Sequence, residues 1–480
     1  MKKGLIFKVR LVFIIIWLLA LGFFLFKTIV PNGSIVYKTN FSKEHRFIGS
    51  LTPVERVEKM DQGRKITGDP VYFSLYYPRH FEEAELKIKY KWLNDDKQIF
   101  SVGMLADNRL WQYYLQPMEN TVIEDLLSDW HVTQENDTYF LQKEKQFNSQ
   151  AEFLNSDFNK SELALYNLTS QEIGLTDYVL PVEQKEQIIP LTLETALRGH
   201  HQFFVYHSKG DLKIDLRIQD LNQNGDYDPV DLILYFQDKI ILNSFLEDDN
   251  NNTDDGRVSS IRDLNLQASN LPEGLYKVEI RVNDDIVIKE LKSSSNYLIF
   301  TNGIRLAPGA SNVTIYTNRD YLRATTVNPG SIQEVKFGGE VLGLTKTYRQ
   351  HYWVLEDKVP VWNKVVLDKT GIMLSNDGLF TFNQSTAFDP EVTQLGIETD
   401  MENINYIIAR YQSIRREGDW NIAQANFDLY RAYYKDNKYN FMLSIPGLSH
   451  RSEAGLIIDS IEVELKGKGL WEKIKETIKE

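Results

Sequence analysis

No cysteine occurs anywhere in the 480 residues. That absence excludes a disulfide framework, thiolate metal ligation, a cysteine nucleophile and a lipid-modified N-terminal cysteine. An exported chain of this size without disulfides fits a bacterial or archaeal envelope better than a eukaryotic secretory route. Positive charge is also in deficit: 54 Lys and Arg stand against 67 Asp and Glu, a formal net charge of −13. Such a chain repels a phosphate backbone, so nucleic acid is not an expected partner. Helical periodicity is scarce, and no repeat of about 20 to 50 residues is present, so solenoids and propellers are not supported. The G-x-S-x-G, H-E-x-x-H and P-loop signatures are absent as well.

What is present begins with one long apolar run, residues 11–30, LVFIIIWLLALGFFLFKTIV. Its uncharged part, residues 11–26, spans about 24 Å as a helix, somewhat short of a hydrocarbon core of roughly 30 Å. Ile29 and Val30 lengthen it if Lys27 carries its ammonium to the interface. Lys2, Lys3, Lys8 and Arg10 precede the run. The positive-inside bias therefore predicts a single-pass cell-membrane protein with residues 1–10 as a cytoplasmic stub, residues 11–30 in the lipid bilayer and the bulk of the chain extracytoplasmic. A cleaved secretory signal shares the charged start and apolar middle but ends in small residues. Here Phe23, Phe24, Leu25 and Phe26 close the run.

Aromatic residues make up 12% of the chain, with 25 Tyr and 25 Phe. Together with repeated two-residue alternation this predicts an all-β ectodomain of two or three β-sandwich domains, jelly-roll or immunoglobulin-like, after the single transmembrane helix. In the first, residues 35–185, Val71, Phe73, Leu75 and Tyr77 alternate, as do Leu86, Ile88, Tyr90 and Trp92 against Lys87, Lys89 and Lys91. A lysine face of this kind means one wet side of an antiparallel sheet. Short helices are expected over residues 120–130 behind an Asn120 cap and from Ser149, which has capping-box spacing to Glu152. Residues 181–190, PVEQKEQIIP, read as a linker. The second domain, residues 196–306, alternates most cleanly, at Leu212 to Ile218 and at Tyr276 to Val282, with Asn283-Asp284-Asp285 as a tight hairpin turn. A third domain follows over residues 310–466, and residues 467–480 read as an amphipathic tail.

The most specific local signal is Asp220-Leu-Asn222-Gln-Asn224-Gly225-Asp226-Tyr-Asp228-Pro-Val-Asp231. Oxygen-bearing side chains recur at alternate positions around a central glycine, the spacing that wraps six to eight oxygens about one hard cation. The stretch resembles the calcium loop of EF-hand and dockerin proteins. That resemblance covers twelve residues and implies structural Ca2+, with Asp220, Asn222, Asn224 and Asp228 as side-chain or water-mediated ligands, Asp226 through its carbonyl and Asp231 as the closing carboxylate. Position 12 is Asp rather than Glu, and the flanks alternate like strands, so the loop belongs to a β-scaffold. An Asx-rich turn without metal is the competing reading. Asp248 and Asp249, in the acidic run that follows, are possible additional ligands.

Other signals carry less. His200, His201 and His207 cluster in GHHQFFVYH, and His201 and His207 share a strand face, but no third ligand is indicated for that pair, so they read as strand or rim residues. Trp111 and Tyr113, and Tyr352 and Trp353, are candidate platforms for stacking on a sugar. A carboxylate pair leaves no local motif, so glycosidase chemistry has no sequence mark. The expectation is a non-enzymatic surface protein that binds an envelope or extracellular glycan or another surface protein. The alternatives are a membrane-tethered polysaccharide hydrolase or lyase and a structural spacer or scaffold of an envelope assembly.

Overall fold

The computed structural model describes residues 2–475 except 31, 32, 62, 78, 80, 95–97, 109–111, 171, 176, 177, 224–226, 238, 251–256, 356–361, 391, 398, 449–454, 470 and 474, the side chains of 2–9 and 28 aside. After one N-terminal helix the chain is predominantly β, in several sheets with a few short helices. Contacts divide it into two compact units, one of residues 1–167 with 395–480 and the other of residues 168–394.

The helix runs Lys2–Thr28, and its segment Arg10–Lys27 is long and apolar enough to cross a membrane. Its apolar side chains are exposed. The expected span to residue 30 is too long at its C-terminal end. Val30 is 1% exposed within the core of the first unit, and its N–H donates to the Lys468 carbonyl at 3.1 Å. A residue cannot face both lipid and a protein core, so the apolar run ends before Val30.

The first unit is built from both ends of the chain. The strand Leu456–Lys466 pairs along one edge with Glu83–Trp92, and along the other with Arg64–Ile66 and with the first strand, Ser34–Thr39. Trp420–Asp428 extends this sheet on the far side of Glu83–Trp92. A second sheet, Val71–Tyr76, Lys438–Ser444, Ile99–Asp107 and Gln112–Asn120, supplies the facing layer. The predicted alternation is the reason they fit. Leu86, Ile88, Ile461 and Val463 from one sheet and Val71, Phe73, Phe441 and Leu443 from the other are buried in one cluster. Each such side chain contributes roughly 1.5 to 3 kcal/mol. A third sheet contains the parallel pair Leu163–Tyr166 and Tyr406–Arg410. The helix Thr121–Asp129 packs beside it, capped by Asn120, whose Oδ1 accepts from the Val122 and Ile123 N–H groups at 3.0 and 3.3 Å. Ser149 caps Gln150–Leu154 as expected, accepting from Glu152 at 3.1 Å.

In the second unit, strands Leu212–Asp220, Arg262–Ala268 and Ile286–Ser293, with Leu191–Leu193 and Leu197–Arg198, make one sheet. The other is twelve-stranded and continues past residue 306: Leu298–Arg305 pairs with Met373–Thr381, and Ser311–Thr317 with Asn363–Lys369. Inward residues of both sheets share one core, which includes Leu212, Ile214, Val278, Ile280, Ile315 and Val365.

Three domains in line, over 35–185, 196–306 and 310–466, are therefore not the arrangement found. Residues 168–185 join the second unit, where Leu180 packs with Tyr206, Tyr297 and Phe388. Residues 310–394 complete its sheet, and residues 395–466 return to the first unit. The proline-bounded stretch holds a short helix, Val182–Lys185, and is not the boundary. Of the tail, residues 471–473 form a helical turn with Trp471 exposed.

Truncating Ile461 to Ala removes a fully buried side chain from the strand that joins the two ends. The expected cost is about 2 to 5 kcal/mol. In calorimetry the loss should fall on the transition of the first unit and leave that of the second in place.

Candidate functional site

The 220–231 loop leaves the end of Leu212–Asp220 and enters Val230–Phe236. Both flanking elements are strands, as the alternation predicts. Asp220 Oδ1 accepts the Asn222 N–H at 2.7 Å, and Asn222 adopts φ +48°, a left-handed turn that Asn tolerates. Asn224 and Asp226 lie outside the described residues. Asp228 is buried, and its Oδ1 accepts from Asn283 Nδ2. Asp231 lies within the strand, half-buried, opposite Phe245 and Arg281. Among the described residues it is in neither of two groups of mutually close carboxylates.

Asp285 is brought to the loop instead. Single carboxylate oxygens of Asp220, Asp228 and Asp285 lie within 4.8 Å of one another, and all three residues are 1% exposed. Asp285 comes from the turn between Gly274–Arg281 and Ile286–Ser293. That turn is tied to the loop by the Gln223 N–H donating to Asp285 Oδ2 at 3.1 Å and the Leu221 N–H donating to the Asp285 carbonyl at 3.2 Å. A second group joins Asp220 to Asp248 and Asp249, at the same distance limit. Asn222 Nδ2 donates to Asp249 Oδ2 at 3.2 Å and to the Arg257 carbonyl at 2.7 Å, which draws the acidic 247–261 loop onto the first.

Hydrogen bonding in this cluster is one-sided. Asp220 Oδ2, Asp285 Oδ1 and Asn283 Oδ1 are buried oxygens without a partner. A buried acceptor without a donor costs about 1 to 3 kcal/mol, so three together are strongly unfavourable unless a cation meets them. Burial pushes the Asp228 carboxyl up to about 7 and that of Asp220 to about 6, with neighbouring carboxylates adding to both. Asp285 is raised for the same first cause. An all-oxygen donor set of this kind suits a hard divalent cation. Asn283 and Asp285 escaped the sequence reading because their spacing is that of an ordinary hairpin turn, 52 or more residues beyond the end of the loop motif at Asp231.

The histidines serve packing. His201 is buried, with Nδ1 at 2.9 Å from the Gly199 carbonyl and Nε2 accepting the Arg305 N–H at 3.1 Å. Only the neutral ring with its proton on Nδ1 satisfies both, and burial holds its pKa down at about 4. Of the aromatic platforms, Trp111 lies outside the described residues. Tyr113 is half-buried, its ring 6.0 Å from that of Tyr72. Tyr352 is half-buried beside Tyr321, and Trp353 packs against the second unit's core. Glu119, a buried acid of the first unit, accepts from Trp92 Nε1 at 2.6 Å and from Asn421 Nδ2 at 3.3 Å, an engaged structural group.

A groove of about 410 Å³ crosses the wet face of the first unit's main sheet. Lys38, Glu462, Lys87 and Gln424 stand opposite one another across four neighbouring strands, and Ser460, Lys89, Ile422 and Arg415 form the next row. Lys38, Lys87, Lys89 and Arg415 outnumber Glu417 and Glu462 along it. Trp420 lies beside it under Lys91, whose Nζ is 4.8 Å from the ring centroid.

No family model matches the chain, and no curated protein matches it. Solved structures give distant overlays. A structure of infectious bursal disease virus, Gt strain, is 7% identical over 92% of this chain and 82% of that chain, with a TM-score of 0.15. Dimeric latent PorU from Porphyromonas gingivalis is 9% identical over 65% of this chain and 33% of that chain, with a TM-score of 0.17. Sulfolobus Turreted Icosahedral Virus is 7% identical over 92% and 99%, with a TM-score of 0.16. Overlays this loose carry no argument about fold or function.

His201 generates a test of pH dependence. Its folded pKa lies below the ordinary imidazole value of 6.5, so the unfolded chain binds the proton more readily. The stabilising contribution is complete above pH 6.5 and is lost as pH falls toward 4, at about 1.4 kcal/mol per pH unit across the window. The raised aspartates act with the opposite sign, so the readout is a difference. Melting temperatures of the parent and of His201→Gln are expected to converge as pH is lowered from 7 to 4.5.

Proposed function

We propose that this is a membrane-tethered, extracytoplasmic protein that binds an acidic envelope glycan along the groove of its first unit, and whose second unit is fixed by calcium. The observation that carries the binding reading is the groove itself. In a chain of formal net charge −13 it gathers four basic side chains against two acidic ones on a solvated sheet face. Lysine and arginine donors interleaved with Gln412, Gln424 and Ser460 match the hydroxyls and carboxylates of a uronic-acid-type polymer. An indole at the margin adds an apolar ring face. The helix Lys2–Thr28, with basic residues ahead of its apolar segment, supports a single N-in span with everything after it outside. Two facing sheets in each unit support the sandwich reading of the ectodomain.

Calcium is supported by the mutually close carboxylates of Asp220, Asp228 and Asp285 and by the unpartnered buried oxygens of Asp220, Asp285 and Asn283, which come from two different turns of the second unit. The ion here is structural, neutralising carboxylates that otherwise repel one another and joining the loop to the 283–285 turn.

Two measurements test these readings. Full-length protein in detergent micelles is expected to bind polygalacturonate and to ignore neutral dextran, with affinity falling as salt rises. Lys89→Glu combined with Arg415→Glu should weaken polygalacturonate binding at least tenfold; equal binding of parent and variant sinks the groove assignment. Separately, calcium at 100 times its dissociation constant is expected to stabilise the second unit by about 2.7 kcal/mol. Asp285→Asn should remove most of that gain, while Asp231→Asn should keep it.

A further inference from the structure

We propose that Asp220 bridges two divalent cations, the second held by Asp248 and Asp249 of the acidic loop. The inference rests on the cation reading of Asp220, Asp228 and Asp285 given above and adds a neighbouring ion to it. One oxygen of Asp220 lies within 4.8 Å of oxygens from Asp228 and Asp285, and the same limit holds for the group it forms with Asp248 and Asp249. Ligands sitting roughly 2.3 to 2.6 Å from a calcium ion are separated by at most about 5 Å, so each group has the span of one coordination shell. A carboxylate common to two shells places the ions a few ångströms apart, a familiar separation for paired metals.

An independent observation points into this space. Asp220 is 1% exposed, its Oδ1 is taken by the Asn222 N–H, and its Oδ2 has no hydrogen-bond partner. A buried carboxylate with one oxygen held by an amide and the other bare is oriented for metal by its surroundings. Charge then decides the number of ions. Asp220, Asp228, Asp248 and Asp285 are all buried, and among the described residues none forms an ion pair with Lys or Arg. Arg198 acts on Asp285 through its charge without forming an ion pair with it, and Arg305 pairs with Asp284 instead. With Asp249 the two groups hold five carboxylates; one divalent ion offsets two of the five negative charges, and two ions offset four. The second ion also gives the acidic loop a reason to lie where Asn222 already draws it.

The test uses full-length protein in detergent micelles, stripped with a chelator and titrated with calcium chloride by calorimetry, with equilibrium dialysis of radiocalcium for stoichiometry. Two calcium ions per chain are expected. Asp248→Asn should reduce this to one while keeping the calcium-induced rise in melting temperature, and Asp220→Asn should abolish both. The parent stoichiometry needs no variant, so a variant that fails to fold, judged by near-ultraviolet circular dichroism, does not decide the matter. One ion per chain in the parent, unchanged by Asp248→Asn, overturns the bridge and leaves the single-ion reading standing. No bound calcium in the parent overturns both.

Discussion

The strand Leu456–Lys466 has both of its edges filled, and the rest of the molecule is arranged around that fact. Residues 456–458 hold Arg64–Ile66, residues 461–466 hold Ser34–Thr39, and the opposite edge carries Glu83–Trp92 throughout. The first sheet is thus incomplete until the last strand has been made. Closing so long a loop costs entropy that only grows slowly with length, which is why a large insertion is tolerated in its middle. The parallel pair Leu163–Tyr166 and Tyr406–Arg410 marks where the chain departs and returns. Parallel neighbours require a crossover, and here the crossover contains the whole second unit.

Local physics was legible in the residues and long-range pairing was not. Alternation at Leu212 to Ile218 and at Ile461 to Leu465 identified both strands and their inward faces, because a period of two projects directly onto burial. The Asn120 and Ser149 caps were equally plain, since a cap acts within three residues. By contrast, nothing in residues 35–185 announces a partner at 456–466. The same limit separated Asp231 from Asp285. Spacing within a loop defines which oxygens lie along the chain, whereas the carboxylate of Asp285 arrives from a turn that is adjacent only after two sheets have formed. Val30 shows a related limit: hydropathy reports that a side chain avoids water, without saying whether lipid or protein receives it.

The acidic end of the second unit shows how a strongly negative chain can retain charge in its interior. Most exposed carboxylates cost little, because water screens them. Asp220, Asp228 and Asp285 lack that relief, and the amide contacts from Asn222, Gln223 and Asn283 satisfy only one oxygen of each. The first unit handles its charges differently. Lys38, Glu462 and Lys87 alternate in sign across the sheet at the surface, where Lys87 and Lys466 both reach Glu85 at 2.7 Å. One unit sets opposite charges against each other along its face, and the other gathers like charges in its interior.

The junction between the N-terminal helix and the first sheet leaves almost no slack. Only Ile29 separates the helix end at Thr28 from Val30 in the core, and the Arg79 guanidinium stacks on Phe26 at 4.0 Å while Nη1 reaches the Ile29 carbonyl. A shift of the helix by one turn, about 5.4 Å along its axis, would have to pull Val30 out of its seat and break that stack. The joint therefore works as a latch: the position of the helix along its axis and the seat of Val30 in the first unit's core are set together.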